Sequence, residues 1–282
     1  MSHSKTIDLH SHTTHSDGQL TPTELVMRAQ QMQVDVLAIT DHDTVSGVEE
    51  ARAYAANSSP RVSIVAGVEI STIWHGFDIH ILGLDVDHQD QHFLQLLQQQ
   101  QQTREQRAQQ ICDKLEQAGM PDVLKKAKSI ANGAQLSRSH IARAMVSLSY
   151  VTNAQSAFKK YLGKGKRAHV KADWIDLGQA ITWIHDAGGR AVIAHPQHYD
   201  MNTKWLRRLV SDFVDSHGDG IEVSHPNIAP TQRQLLLEIA QQHNLLGSAG
   251  SDFHAPSRWT ELGRRLAIPD TITPVWHDWT FA

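Results

Sequence analysis

The sequence is poor in the features that mark secreted and membrane proteins. Its 282 residues include one cysteine, Cys112, which excludes an intramolecular disulfide. No run reaches the roughly 18 apolar residues that a transmembrane helix requires, and the N-terminus lacks the charged and then apolar pattern of a secretory signal. These absences predict a cytoplasmic protein without a membrane partner.

Acidic residues are missing from one long stretch. Between Val123 and Ala172 there is no Asp or Glu but there are eleven Lys and Arg, although the whole chain carries a net charge of −4. A field of one sign concentrates ligands of the opposite sign. We therefore expect this stretch to face an anionic substrate; the alternative is a solvated basic surface.

Short apolar runs alternate with helical patterns along most of the chain. Seven runs end at a His or a carboxylate and are typical of buried parallel strands. Helices are expected between them, with capping boxes at Thr21 and Ser46. The alternation predicts an α/β fold, a (β/α) barrel with its site at the carboxyl ends of the strands; an open doubly wound sheet is the alternative. The runs cover residues 6–12, 36–43, 63–71, 78–85, 191–196, 220–226 and 245–254.

The alternation stops between about residues 90 and 167, where helical patterns follow one another without strands. This segment contains most of the acid-free stretch. We therefore expect residues 1–89 and 168–282 to form the barrel, and residues 90–167 to form a basic helical insertion that caps the substrate.

The ends of the predicted strands carry nine potential metal ligands. His10 and His12 are two residues apart, so on a strand both side chains point to one side and can chelate one ion. Nine donors exceed the roughly four to six ligands that one ion takes, and none is a thiolate. Two or three divalent ions are therefore expected, with Mn²⁺ the first candidate beside Fe²⁺, Zn²⁺ and Mg²⁺. The nine residues are His10, His12, Asp17, His42, Glu69, His80, His195, Asp252 and His254.

Six ordered motifs resemble the PHP (polymerase and histidinol phosphatase) superfamily, and more closely its TrpH/YciV branch, which includes ribonuclease AM. The motifs are DLHSHTTHSDG, LAITDHDT, GVEIS, HILG, IAHP and GSDFH. The resemblance implies a distorted (β/α)7 PHP barrel with a helical insertion and a trinuclear metal centre. It also implies three ligand sets, of which the first and third share Glu69: His10, His12, Glu69 and Asp252; Asp17, His42 and His254; and Glu69, His80 and His195.

The branch is associated with two activities on related substrates. One removes the 3′-phosphate of nucleoside 3′,5′-bisphosphates, and the other is 5′→3′ exoribonuclease action on short RNA and on ribosomal RNA 5′ ends. Closely spaced divalent ions activate water and neutralise phosphoryl charge. We expect Asp17 and Asp252 to orient that water, and either a metal-bound water or a histidine, with His195 the candidate, to protonate the leaving oxygen.

Substrate contacts are expected from the basic insertion. Arg138, His140 and Arg143 are candidates for a second phosphate, since an Arg can bind two phosphate oxygens. Lys164 and Lys166 alternate with glycines in a loop that lacks the rest of a P-loop, so ATP is not implied. His225, at the end of a predicted strand, is expected near the substrate.

Three other functions remain open at this stage. A small-metabolite phosphomonoesterase of the histidinol-phosphatase type uses the same metal residues. An inactive or polymerase-associated module is disfavoured by the complete ligand set and by the short chain, so no DNA polymerase module is expected. Metal-dependent amide hydrolysis would not require eleven uncompensated basic residues.

Overall fold

In the computed structural model, which describes residues 5–257 and 259–281, seven strands follow one another in one sheet in the order β1-β2-β3-β4-β6-β7-β8. The short β5 pairs with β3 beside this path. The strands are β1 (Ile7–Asp8), β2 (Val36–Ile39), β3 (Ser63–Trp74), β4 (Phe77–Leu84), β5 (Ile175–Asp176), β6 (Arg190–Ile193), β7 (Gly220–Ser224) and β8 (Leu246–Ala249).

The two ends of this sheet are joined by backbone hydrogen bonds. The N–H of Leu9, just after β1, donates to the carbonyl of Ala249 in β8 at 3.0 Å. Farther along, Ser11 pairs in parallel with Phe253. The sheet therefore closes into a barrel, as the alternation of strands and helices predicted.

One strand runs against the predicted direction. β4 is antiparallel to both of its neighbours, β3 and β6. His75 and Gly76, which connect β3 to β4, both adopt positive φ angles, 46° and 79°. Such a tight turn can join only antiparallel strands, because a parallel pair needs a crossover of a dozen or so residues. The prediction of seven parallel strands is wrong for β4.

Five helices pack around the barrel: α1 (Pro22–Gln31), α2 (Val48–Ala56), α7 (Leu177–Asp186), α8 (Thr203–Asp215) and α9 (Pro230–Gln242). The capping box of α1 is confirmed, since Glu24 N donates to Thr21 Oγ1 at 3.2 Å and Thr21 N donates to Glu24 Oε2 at 2.8 Å. The cap predicted at Ser46 is wrong. α2 begins after Gly47 without a side-chain cap, and Ser46 Oγ instead accepts a hydrogen bond from Thr44 Oγ1 at 3.0 Å.

The chain between β4 and β5 is helical: α3 (Gln91–Gln117), α4 (Val123–Ala131), α5 (Arg138–Ser147) and α6 (Ala154–Ala157), which continues into a π-helical turn. α3 connects two apolar cores. Phe93 and Leu97 pack into the barrel core, whereas Ile111 and Leu115 pack into a second core with α4 and α5. The exact division into a barrel and a cap stays a prediction. Among the described residues, no helix combines the length and apolar character needed to cross a bilayer.

Candidate metal centre

All nine predicted metal ligands lie at one end of the barrel. Each occupies a strand or the loop that follows one, and their donor atoms form overlapping groups within 4.8 Å. Overlap is what a shared, bridging ligand produces. The groups are His12, Asp17, His42 and His254; His10, Glu69 and His195; His10, His12 and Asp252; and His42, Glu69 and His80.

Glu69 lies at the centre of these groups and is fully buried. Its Oε1 atom is 2.8 Å from Nδ1 of His80 and 2.8 Å from Nε2 of His195. Its Oε2 atom is 2.9 Å from Nδ1 of His42 and 3.2 Å from Nε2 of His12. Donors bound about 2.1 Å from one ion lie roughly 3 Å from each other. These distances therefore fit a carboxylate that bridges ions.

Several of these close contacts are not hydrogen bonds. Asp17 Oδ1, His42 Nδ1 and Glu69 Oε2 are buried without a hydrogen-bond partner, although the last two atoms are only 2.9 Å apart. Burying a polar atom without a partner is costly. Divalent cations bound between these side chains would satisfy the three atoms, so the residues fit the metal centre that the sequence predicted.

The charge states of Glu69, Asp17 and His42 suit cation binding. Burial alone would raise the pKa of Glu69, but the surrounding imidazoles, led by His42 and His80, hold it well below its usual range. Burial likewise opposes ionisation of Asp17, and His254 and His42 more than offset it, so this pKa is also low. Burial lowers the pKa of His42 to about 4. Ionised carboxylates and a neutral imidazole are the forms that bind metals.

Glu222 in β7 supports two of the candidate ligands, and the sequence assigned it no such role. Its Oε1 atom is 3.1 Å from Nδ1 of His10, and its Oε2 atom accepts a hydrogen bond from the backbone N–H of His195. A carboxylate on the second nitrogen of a ligand His fixes the tautomer and the ring orientation. The available signal was a carboxylate in the last residues of a predicted strand.

A cavity of about 190 Å³ opens between the cluster and the helical insertion. The arginines Arg104 and Arg107 of α3 and Arg138 of α5 line it opposite the candidate ligands. On the other wall are Asp17, His42, His80 and His254. Three guanidinium groups beside the candidate metal centre make this cavity suitable for an anion.

The arginines of α3 are held in place by acidic and aromatic neighbours. Arg104 Nε donates to Asp43 Oδ2 at 2.9 Å, and Arg107 Nη2 donates to Asp78 Oδ2 at 3.2 Å. The Trp174 ring lies against both guanidinium groups, with its centroid 5.1 and 5.5 Å from their carbons. Sequence reasoning missed both residues because they precede the acid-free stretch. Their spacing of three on one helix was the only signal.

Arg138 is the one predicted substrate contact that lines this cavity, and its Nη2 atom is 3.8 Å from Asp78 Oδ2. His140 is buried, and its Nδ1 atom accepts the backbone N–H of Ser137 at 3.2 Å as part of the α5 capping box. Arg143 is half-buried on the same helix and is not among the lining residues. The structure therefore does not support the prediction that His140 and Arg143 contact the second phosphate of the substrate.

The remaining three candidates lie elsewhere. Lys164 Nζ donates to the carbonyl of Gly76 at 3.0 Å, at the turn between β3 and β4, and Lys166 is exposed on the same loop. His225 is buried after β7, and its ring makes an edge contact with His198 at 5.0 Å. His198 in turn stacks on His195 at 5.5 Å. The His198 ring therefore lies between His225 and the candidate ligand His195.

The sequence matches the PHP domain over residues 8–176. It is 48% identical over 272 residues to a 5′-3′ exoribonuclease of Haemophilus influenzae, covering 96% of this chain and 98% of the relative. It is 38% identical over 274 residues to a 3′,5′-nucleoside bisphosphate phosphatase of Chromobacterium violaceum, covering 96% and 95%. A solved structure from Chromobacterium violaceum, described as an amidohydrolase with bound sulfate and no metal, has a TM-score of 0.90 at 38% identity and covers 96% of this chain and 94% of its own.

Proposed function

Because the chain belongs to the PHP domain family, we propose that it is a metal-dependent phosphoesterase that removes the 3′-phosphate of nucleoside 3′,5′-bisphosphates. The same site would degrade short 5′-phosphorylated RNA, including ribosomal RNA 5′ ends, from the 5′ end. Relatives with these two names match nearly the whole chain. The observation that carries the proposal is the arginine-lined cavity directly beside the metal centre.

The two reactions break the same bond. In a nucleoside 3′,5′-bisphosphate, water adds to the phosphorus, and the 3′-oxygen leaves with a proton. In an RNA chain, the same attack beyond the first nucleotide releases a 5′-mononucleotide and leaves a 5′-phosphate on the shortened chain. One site that holds a 5′-phosphate and cleaves at the 3′-oxygen therefore accounts for both names.

The centre would hold two or three divalent ions, with Mn²⁺ our first candidate. In the proposed arrangement His10, His12, Glu69 and Asp252 would bind one ion, Asp17, His42 and His254 would bind a second, and Glu69, His80 and His195 would bind a third. Such ions, when bound, supply Lewis acidity that activates water and neutralises phosphoryl charge. The donor atoms around Glu69 support a shared ligand, since their separations of 2.8 to 3.2 Å match those within one coordination sphere.

The protein's own groups would then orient the reactants. Asp17 and Asp252 each place Oδ1 3.2 Å from a neighbouring imidazole, that of His254 and His12 respectively, so both are fixed for orienting water. His195 was expected to bind an ion and also to donate a proton. Its Nε2 atom lies among the ligands, so proton donation from this residue would have to use Nδ1, which is buried without a partner.

Arg104, Arg107 and Arg138 would hold the second phosphate. Arginine binds phosphate oxygens in pairs, and a buried or enclosed guanidinium is a stronger donor than an exposed one. A small-metabolite phosphomonoesterase of the histidinol-phosphatase type would gain nothing from these three charges. Asp43 and Asp78 supply two negative charges to the three arginines, so one positive charge is left for a substrate phosphate, which an amide substrate does not offer.

Product analysis tests the proposal. The Mn²⁺-loaded protein is incubated with adenosine 3′,5′-bisphosphate, and the products are separated by chromatography. We expect 5′-AMP and inorganic phosphate. Release of the 5′-phosphate, or efficient hydrolysis of simple phosphomonoesters without turnover of the bisphosphate, would refute it.

A further inference from the structure

Tyr199 contacts two of the candidate metal ligands without belonging to any of the ligand groups. Its side chain is half-buried in the loop that follows β6, and it does not line the arginine-lined cavity. The ring packs against the barrel core and meets the imidazole of His195 edge-on, with 5.5 Å between the ring centroids. Its contacts therefore belong to the candidate metal centre and not to the substrate cavity.

The ladder between β4 and β6 stops at the mouth of the barrel. Its last paired residues are Ile81 and Ile193, and beyond them the N–H of Ala194 still donates to the carbonyl of His80 at 3.1 Å. The chain then turns away at His195, which adopts a positive φ of 30°. The N–H and C=O of a residue in an antiparallel strand face the same neighbour. The N–H of His80 therefore also faces β6, and it needs another acceptor where β6 turns away.

The hydroxyl of Tyr199 takes the place of the missing strand residue. It accepts the backbone N–H of His80 at 2.9 Å and donates to the carbonyl of the same residue at 3.4 Å. One phenol oxygen thus holds both backbone groups of one candidate ligand, while the ring contacts the imidazole of another. Nδ1 of His80 and Nε2 of His195 each lie 2.8 Å from Oε1 of Glu69. Tyr199 therefore contacts both histidines of the ligand set proposed for the third ion.

We propose that Tyr199 is a positioning residue that sets the affinity of the third ion. This inference rests on the proposed function, because that ion is part of it. Tyr199 acts through the backbone of His80 and the ring of His195, and its hydrogen bonds and ring contacts reach only these two of the nine candidate ligands. Replacing a group that orients a metal ligand typically costs about 10- to 100-fold in metal affinity. The loss should therefore fall on one ion and spare the others.

The test uses Tyr199→Phe, which removes the hydroxyl and keeps the ring. Metal-free protein is titrated with Mn²⁺ by calorimetry, and bound manganese is counted by elemental analysis after equilibrium dialysis. We expect one ion per chain to bind about 10- to 100-fold more weakly than in the wild-type protein, with the affinities of the other ions unchanged. kcat/KM on adenosine 3′,5′-bisphosphate should fall at limiting Mn²⁺ and recover at saturating Mn²⁺. That recovery separates weakened ion binding from a damaged fold.

Tyr150→Phe is the matched control, because Tyr150 also donates its hydroxyl to a backbone carbonyl, that of Pro121, at 3.0 Å. Tyr150 packs against the second core, in the helical insertion. This change should leave every Mn²⁺ affinity at the wild-type value. Unchanged affinities in Tyr199→Phe, or an equal loss for every ion, would overturn the inference while leaving the proposed function intact. A wild-type protein that binds no divalent ion would instead refute the proposed function.

Discussion

Glu222 Oε1 lies 3.1 Å from Nδ1 of His10, while Nε2 on the far side of the same ring lies 3.4 Å from Asp252 Oδ1. His10 and Glu222 are both buried. Burial opposes protonation of His10, but Glu222, Glu69 and Asp252 raise its pKa well above the usual range, so an ion that binds here would displace a proton. The imidazole is thus held between one carboxylate that orients it and others that share its proposed ion.

Replacing Glu222 with Gln is expected to weaken ion binding without removing a ligand. The amide keeps the shape of the side chain but loses the charge that orients His10. Changes of this kind typically cost about 10- to 100-fold in metal affinity. Titration calorimetry with Mn²⁺ measures the effect. Glu238→Gln, an exposed change on α9, is the control, and equal affinities for the two variants would contradict the role given to Glu222.

Removing the ions is expected to destabilise the fold. Buried atoms such as Asp17 Oδ1 and Glu69 Oε2 have no hydrogen-bond partner, so ions that satisfy them stabilise the folded state. An ion present at 100 times its Kd contributes about 2.7 kcal/mol, which corresponds to a Tm change of roughly 5 °C or more for a chain of this size. Calorimetry with and without EDTA should show this drop, and excess Mn²⁺ should reverse it. An unchanged Tm would mean that no ion is held at these atoms.

The two predicted helix caps should differ in their contribution to stability. Thr21→Ala removes a capping hydrogen bond of α1 and should lower the free energy of unfolding by about 1 kcal/mol. Ser46→Ala removes no cap, because α2 has none, and should change the free energy by less than about 0.5 kcal/mol. Urea unfolding of both variants makes the comparison. A larger loss for Ser46→Ala would contradict the assignment of the two N-termini.

The sequence predicted which side chains come together at the barrel mouth, because strand geometry is local. His10 and His12 share a face owing to the two-residue period of a strand, and parallel strands bring their carboxyl ends to one edge. The direction of β4 was also readable in principle: the pair His75-Gly76 marks a tight turn, which forbids a parallel connection. The periodicity of Leu206, Leu209, Val210 and Phe213 likewise indicated α8, which the sequence reading passed over.

The cavity walls could not be predicted in this way. Arg104 and Arg107 lie in a Gln-rich helix whose pattern resembles a solvated surface, and they face the site only because α3 packs across the barrel mouth. Conversely, His140 looked like a substrate contact by position, yet its Nδ1 atom is used to cap α5. Long-range packing decides which polar residues of an insertion face a site. Short sequence motifs carry no information about that packing.

The most direct test of the account compares adenosine 3′,5′-bisphosphate with adenosine 3′-phosphate in the wild-type protein and in Arg138→Ala. Arg138 lines the cavity but belongs to none of the metal groups. A bond from a charged donor contributes about 1.5–3 kcal/mol, so kcat/KM on the bisphosphate should fall about 10- to 150-fold in the variant. The wild-type protein should have a low kcat/KM on adenosine 3′-phosphate, and Arg138→Ala should change that value little. Equal activity of the wild-type protein on both substrates, or equal losses on both in the variant, would contradict a site that recognises the 5′-phosphate.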